Sequence, residues 1–409
     1  MSEHAVETPV GGRIFTPTLL FLLAIIFAGG GLVLYRLLYG LGSVTALNDG
    51  YAWGIWKPLN VVTFTGIGAG AYAVGLLTYV FNRWHYHPLL RSCMVVGAMA
   101  YTLAGTSVLI DLGRWWNLWV IFYPPIYNLN SVLLEVSLCV TSYCGVLWVE
   151  LTPPMLEQAT KLKLKPVAWL AQLGLPWVRR VLPIVIATAL LLPTMHQSSL
   201  GGLYMITPTK LHPLWYTPWI SGLFLLTCLA MGFGAVVIIE NLTSMNYPRQ
   251  MDQRLLARMA PVPAMVVLAY LAIRLVDLGM EGKLGLISKF DFFSILFMVE
   301  SALFLVPAVI MLRKKWRKNR GMLFLASMML VFAGGMYRFD TYLVAFHPAT
   351  GWTYFPSVGE MLFSACLAST GIAVYMVMAK LFPILSGVRE DLKHHEKSVY
   401  ARLFHSKEK

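Results

Sequence analysis

Apolar residues run along this chain in long blocks, without the two-residue alternation of half-buried strands. Ten blocks are close to the ~20 residues needed to cross a hydrocarbon core of roughly 30 Å. They fall at 16–38, 54–81, 89–112, 130–151, 180–198, 217–240, 262–280, 290–312, 321–346 and 358–382. Lipid offers no partner to an open backbone, so each block predicts a helix. Pro183 and Pro193 interrupt the fifth. The small and polar residues of PTMHQSSLGG (193–202) predict that this helix ends early, around a cavity. The expected fold is an all-α integral membrane protein with about ten transmembrane helices, two four-helix bundles plus extra helices. Tails at 1–15 and 383–409 flank a membrane domain at 16–382. The opening residues, Glu3 and Glu7 against Arg13 ahead of a long apolar block, lack the layout of a cleavable signal.

Composition supports a bilayer as solvent. Of 409 residues, 58% are hydrophobic and 12% charged, against ~25% charged in soluble domains. The net charge of +13 could suggest nucleic acid, but its distribution argues otherwise. With the tails and alternate loops on one side, 24 of the 32 Lys and Arg lie there, including RKKWRKNR at 313–320. The positive-inside rule makes that side cytoplasmic. Both termini are therefore expected in the cytoplasm, with the chain in a bacterial cytoplasmic (inner) membrane. The opposite loops are dense in aromatic residues, as in RWWNLWVIFYPPIYNLN (114–130) and HPLWYTPW (212–219). They predict a structured outer surface.

Cofactor ligands are scarce. The five cysteines all lie in apolar runs and form no CxxC, so no iron–sulfur cluster is expected. Of nine histidines only His196 lies within a span, and a b-type haem usually needs two facing each other, so no intrinsic haem is expected either. No metal site is predicted. The run GIGAG (66–70) sits mid-span, where small residues allow close helix packing.

Charges inside spans demand partners or functions. Near the outer ends lie Arg36, Lys57, Asp111, Arg114, Glu135, His196, Arg274, Asp277, Arg338, Asp340 and Glu360, with neutral Asn60, Gln197, Ser198 and Ser199. Glu150 and Glu240 lie near the cytoplasmic ends, and Glu300 near mid-membrane. Asp111 with Arg114, and Arg274 with Asp277, have the i,i+3 spacing of neighbours on one helix face. A neutral imidazole such as His196 can donate a hydrogen bond to a quinone carbonyl and relay a proton near pH 7.

Several motifs resemble the NrfD/polysulfide-reductase family of membrane subunits, and within it the hydrogenase-2-type subunits. They are YAWGIWKPLN (51–60), FNRWHYHPLLR (81–91), IDLGRWWN (110–117), NLNSVLLE (128–135), LLPTMHQSSLG (191–201), KLHPLW (210–215) and YFPSVGEML (354–362). The resemblance covers about residues 10–385. It implies electron exchange between a periplasmic ferredoxin-like iron–sulfur subunit and menaquinone or ubiquinone, with hydrogenase large and small subunits behind. It also maps a quinone pocket onto Asn60, Asp111, Arg114, Glu135 and His196, extended by the neighbouring Gln197 and Ser198. His196 and Asp111 are the proton donors expected there, and Arg114 the cation for developing negative charge. Some relatives carry an acid where Asn60 stands, and Asn60 cannot relay protons in its place. Glu300, Glu240 and Glu150, with Arg338 and Asp340, are candidates for a proton path. Three alternatives stay open: the same fold serving a sulfur-metabolism or multihaem-cytochrome complex, a secondary transporter, and a passive anchor.

Overall fold

The computed structural model describes residues 7–387 apart from Ala52 and Ala349. Most of the basic C-terminal tail, and Glu3 in the N-terminal one, thus lie outside the described residues. Ten helices are long and apolar enough to span a membrane: α1 Pro17–Tyr39, α2 Trp56–Val80, α3 Trp84–Asp111, α4 Val132–Ala159, α5 Lys165–Gly202, α6 Ile220–Asn246, α7 Gln253–Met280, α8 Phe292–Leu312, α9 Arg320–Val344 and α10 Val358–Leu381. Helices α6 to α9 close a ring of neighbours, each packed on the next and α9 back on α6. Helices α2 to α5 pack in sequence, and α2 and α5 also lie against α6, which joins the two bundles. Helix α10 packs on α1, α3 and α2. This is the expected pair of four-helix bundles with α1 and α10 added.

Local sequence explains the helix ends. Thr16, Ser131, Asp291, Asn319 and Ser357 each accept a backbone N–H of the first turn, the capping that such residues provide. The buried Arg36 guanidinium donates to the carbonyls of Ile110 and Leu112, where the end of α3 leaves orphan acceptors. The loop face, opposite the start of α1, is tied together. Tyr354 receives the N–H of Ile55 at 2.7 Å and donates to Glu360 at 2.8 Å. Burial, together with that neighbouring carboxyl, pushes the Tyr354 phenol up.

Helix α5 departs from the sequence-based expectation. It is continuous for 38 residues through Pro176, Pro183 and Pro193, roughly 57 Å at 1.5 Å per residue. It neither ends at Pro193 nor begins at 180. Proline removes a helical donor, yet the helix runs on, and nearby threonine hydroxyls bond carbonyls of the same helix. Thr188 donates to the Ile184 carbonyl at 2.9 Å and Thr194 to that of Leu190 at 3.1 Å. Both are i to i−4 bonds within the helix; the carbonyls that Pro183 and Pro193 leave without a helical donor are those of Arg179 and Ala189.

GIGAG acts as packing, as expected. A Cβ on Gly68 would stand 2.6 Å from the Cβ of Ala100, and one on Gly232 of α6 would stand 2.7 Å from the Ala69 carbonyl oxygen. The crossing of α2 and α6 therefore runs backbone on backbone. Gly232→Ala should cost about 1–3 kcal/mol, as overpacking does. Gly105→Ala, with open space around it, should be near neutral. Thermal unfolding in detergent checks both; equal midpoints for the two variants would refute the close approach.

Candidate functional site

The first bundle holds a buried polar group that starts from the winding of α2. Residues Trp56–Thr63 form wide π-type turns, which leave carbonyls free for side chains and recur at functional positions. Arg338 of α9 uses one of them, donating to the Val62 carbonyl at 3.1 Å. Its guanidinium also reaches Thr227 at 3.2 Å, the Gly334 carbonyl at 3.0 Å and the Gln197 side-chain oxygen at 3.4 Å. Gln197 in turn donates to Thr65 at 3.1 Å and Tyr101 at 3.3 Å. Four helices, α2, α3, α5 and α9, thereby fix one amide.

His196, the residue before Gln197, is fully buried, and its ring lies edge-on to Tyr101 at 5.5 Å between centroids. Neither ring nitrogen has a protein partner. Asn60 is also fully buried; its amide donates to Ser107 at 3.2 Å while its oxygen is unpaired. Ser107 and Tyr101 are six residues apart on α3, about 9 Å of rise. Two orphaned polar groups thus sit in one half of one bundle. Buried polar groups are normally satisfied, so such exceptions point to a ligand or a catalytic role.

The other predicted pocket residues lie apart from this centre. Asp111 does not pair with Arg114. Its carboxylate meets Lys57 of α2 at 2.7 Å, because the helix ends at Asp111 and Arg114 lies exposed in the turn beyond. Glu135 is exposed on the first turn of α4 and accepts from Ser199 at 2.8 Å. Ser198 returns its hydroxyl to the Thr194 and Met195 carbonyls of its own helix. The predicted set therefore resolves into a buried part (Asn60, His196, Gln197) and a part nearer the loop face (Asp111, Glu135), with Arg114 outside both.

The second bundle carries its own cluster. Arg274 does not pair with Asp277 on its own helix. Its guanidinium pairs with the fully buried Glu300 carboxylate of α8. Glu300 also accepts from the Trp215 indole at 2.9 Å and the Tyr270 phenol at 3.2 Å. Asp340 of α9 lies against Glu300. Arg274 stands 4.4 Å over the Phe297 ring and 5.2 Å from that of Tyr337.

The remaining acids are separate. Glu240, near the end of α6, binds Arg249 at 2.7 Å. Glu150, at the end of the first long segment of α4, lines a small pocket with Tyr79 and Tyr143. The five proton-path candidates do not form one continuous hydrogen-bonded line among the described residues.

Sequence reasoning missed Tyr101, Thr65, Ser107, Trp215, Tyr270 and Tyr337. All but Trp215, which lies in a loop, are aromatic or hydroxyl residues inside apolar blocks, where they read as packing. The motif KLHPLW contained Trp215, but nothing in it pointed to Glu300, which lies 85 residues away in sequence.

A ten-span helical membrane protein with one buried polar centre per bundle is the class that fold and site define. The family model "Polysulphide reductase, NrfD" matches residues 43–346. The chain belongs to the NrfD family. It is 35% identical to the "Probable Ni/Fe-hydrogenase 2 b-type cytochrome subunit" of Escherichia coli (strain K12), over 95% of this chain and 98% of that one. It is also 28% identical to the "Menaquinone reductase, integral membrane subunit" of Nitratidesulfovibrio vulgaris, over 62% of this chain and 60% of that one.

The first relative's name raises haem, which the described histidines do not fit. His196 stands against Tyr101, with no second histidine facing it. His212 and His347 approach to 5.8 Å between ring centroids, and the two loops that carry them are paired backbone to backbone at Leu211 and Phe346. His212 N–H donates to Ala345 at 2.9 Å and His347 N–H to Lys210 at 2.7 Å. His212 is also stacked on Phe293 at 4.4 Å.

Proposed function

We propose that this chain is the quinone-reactive membrane subunit of a respiratory oxidoreductase, most closely a [NiFe] hydrogenase. It exchanges electrons between a periplasmic ferredoxin-like iron–sulfur subunit, served by hydrogenase large and small subunits, and menaquinone or ubiquinone. The names of the two relatives support this reading. Its main structural support is His196, buried with both ring nitrogens unpaired in the same half-bundle as the unpaired Asn60 oxygen.

Reduction of a quinone consumes two electrons from the partner and two protons. His196 is placed to donate a hydrogen bond to a quinone oxygen and pass it a proton. Asn60 offers a second polar contact. Gln197 is a positioning residue, clamped by Thr65, Tyr101 and Arg338 so that the adjacent turn of α5 stays fixed. Asp111, paired with Lys57 nearer the loop face, is placed to resupply protons, and Glu135 with Ser199 marks a second polar entry. Arg114, being exposed, is better suited to the rim or to the partner's docking surface than to stabilising charge inside. Glu300 and Asp340 form the second-bundle part of a proton route, with Glu240 and Glu150 as its cytoplasmic ends. The 24 basic residues support a reading in which both tails lie in the cytoplasm of a bacterial inner membrane. The chain carries no haem and no cluster of its own in this reading.

One alternative keeps the site and changes the donor. The family description, polysulphide reductase, favours a sulfur-metabolism complex as that second reading. The continuity of α5 removes the broken helix that would favour a transporter.

The test uses the membrane complex. Asp111→Asn and Gln197→Leu should each lower hydrogen-linked menaquinone reduction by about tenfold, the scale of one lost hydrogen bond to a charged or clamped group. Reduction of an artificial dye by the catalytic subunits should persist. Unchanged quinone reduction in both variants would sink the assignment.

A further inference from the structure

A groove of about 650 Å³ lies apart from the polar centres, within the ~300–1,000 Å³ of ligand sites. Phe64 of α2 and Met99 and Leu103 of α3 line it, as do Leu242 of α6 and Ile372 of α10. Its surface is mostly hydrocarbon. Phe64 adjoins Thr65 in sequence, but Thr65 reaches Gln197 while Phe64 faces the groove. The groove is therefore separate from the His196 centre.

Toward the start of α1 and the end of α10, the lining includes one cation, Lys380. This side chain is 7% exposed. Its ammonium donates to the Arg13 backbone carbonyl, and it has no carboxylate partner among the described residues. A buried cation served only by a neutral oxygen is costly unless an anion joins it. An apolar groove with one under-compensated ammonium at its end matches an amphiphile with hydrocarbon chains and a negative head.

We propose that this groove binds an anionic phospholipid, with acyl chains along α3 and α10 and the headgroup phosphate on Lys380. The lipid would fill the cleft flanked by α6 and α10. The inference stands on the groove and Lys380 and does not depend on the electron-transfer reading.

Full-length chain purified in non-ionic detergent can be titrated with phosphatidylglycerol, phosphatidylcholine and menaquinone and read by native mass spectrometry. Phosphatidylglycerol should bind about fivefold more tightly than phosphatidylcholine, the scale of one lysine on an anionic headgroup. Lys380→Met should erase that preference and Lys380→Arg should keep it. Ala368→Trp, which fills the groove wall, should weaken both phospholipids. Should Ala368→Trp fail to fold, the two Lys380 variants still decide the matter. Equal affinities in the unmodified chain, or a preference that survives Lys380→Met, would overturn the proposal. Displacement of bound phosphatidylglycerol by equimolar menaquinone would also overturn it, in favour of a quinone-tail groove.

Discussion

Arg274→Met is expected to destabilise the purified chain by about 3–5 kcal/mol, the cost of breaking a buried ion pair from one side. Arg274 is the cation facing Glu300, with which it pairs across α7 and α8. Its removal strands the Glu300 carboxylate beside Asp340, in surroundings where only Trp215 and Tyr270 still donate. The guanidinium also covers the Phe297 and Tyr337 rings, so packing is lost with the charge. Glu300→Leu should cost less than Arg274→Met, because a guanidinium can still face Asp340. The double variant should recover much of the loss, since no carboxylate then lacks its partner at that position. A double-mutant cycle on thermal unfolding in detergent measures this coupling. Additive losses would show that the pair does not hold the second bundle together.

The sequence made the helices plain and their partners obscure. Apolar blocks longer than a bilayer is thick can be read without any tertiary knowledge, and all ten appear as helices. The failures lie where a local rule competed with a distant contact. Spacing of i,i+3 suggested Asp111 with Arg114 and Arg274 with Asp277. In the fold, Asp111 turns to Lys57 and Arg274 to Glu300, because facing helices bring opposite charges closer than the next turn does. The prolines of α5 suggested a break, but the helix runs through all three without one. Arg338 was legible as a costly buried charge, but its role was not. Its acceptors are carbonyls, a hydroxyl and an amide from α2, α5, α6 and α9, which no motif collects.

Arg338 and Tyr337 are consecutive on α9 and face different bundles. Arg338 holds Gln197 beside His196, whereas the Tyr337 ring lies 5.2 Å from the Arg274 guanidinium. A single turn of α9 thus touches both polar centres. Any movement of that turn changes the clamp on Gln197 and the surroundings of the Glu300 cluster together.

His196→Phe should separate chemistry from stability. Phenylalanine keeps an aromatic ring against Tyr101 and removes two buried nitrogens that have no protein partner. Replacing an unsatisfied buried polar group by an apolar one of similar shape is near neutral or stabilising. The unfolding midpoint should therefore hold or rise. Quinone-linked turnover should fall about 10²–10⁴-fold, the usual contribution of a positioned acid–base group, while dye reduction by the partner subunits persists. A structural histidine would give the opposite pattern, a lowered midpoint with turnover falling only in step. His196→Ala should lose the same activity but also about 2 kcal/mol of stability, through the cavity it leaves beside Tyr101. A role on the substrate makes both variants lose turnover, although only His196→Ala loses stability.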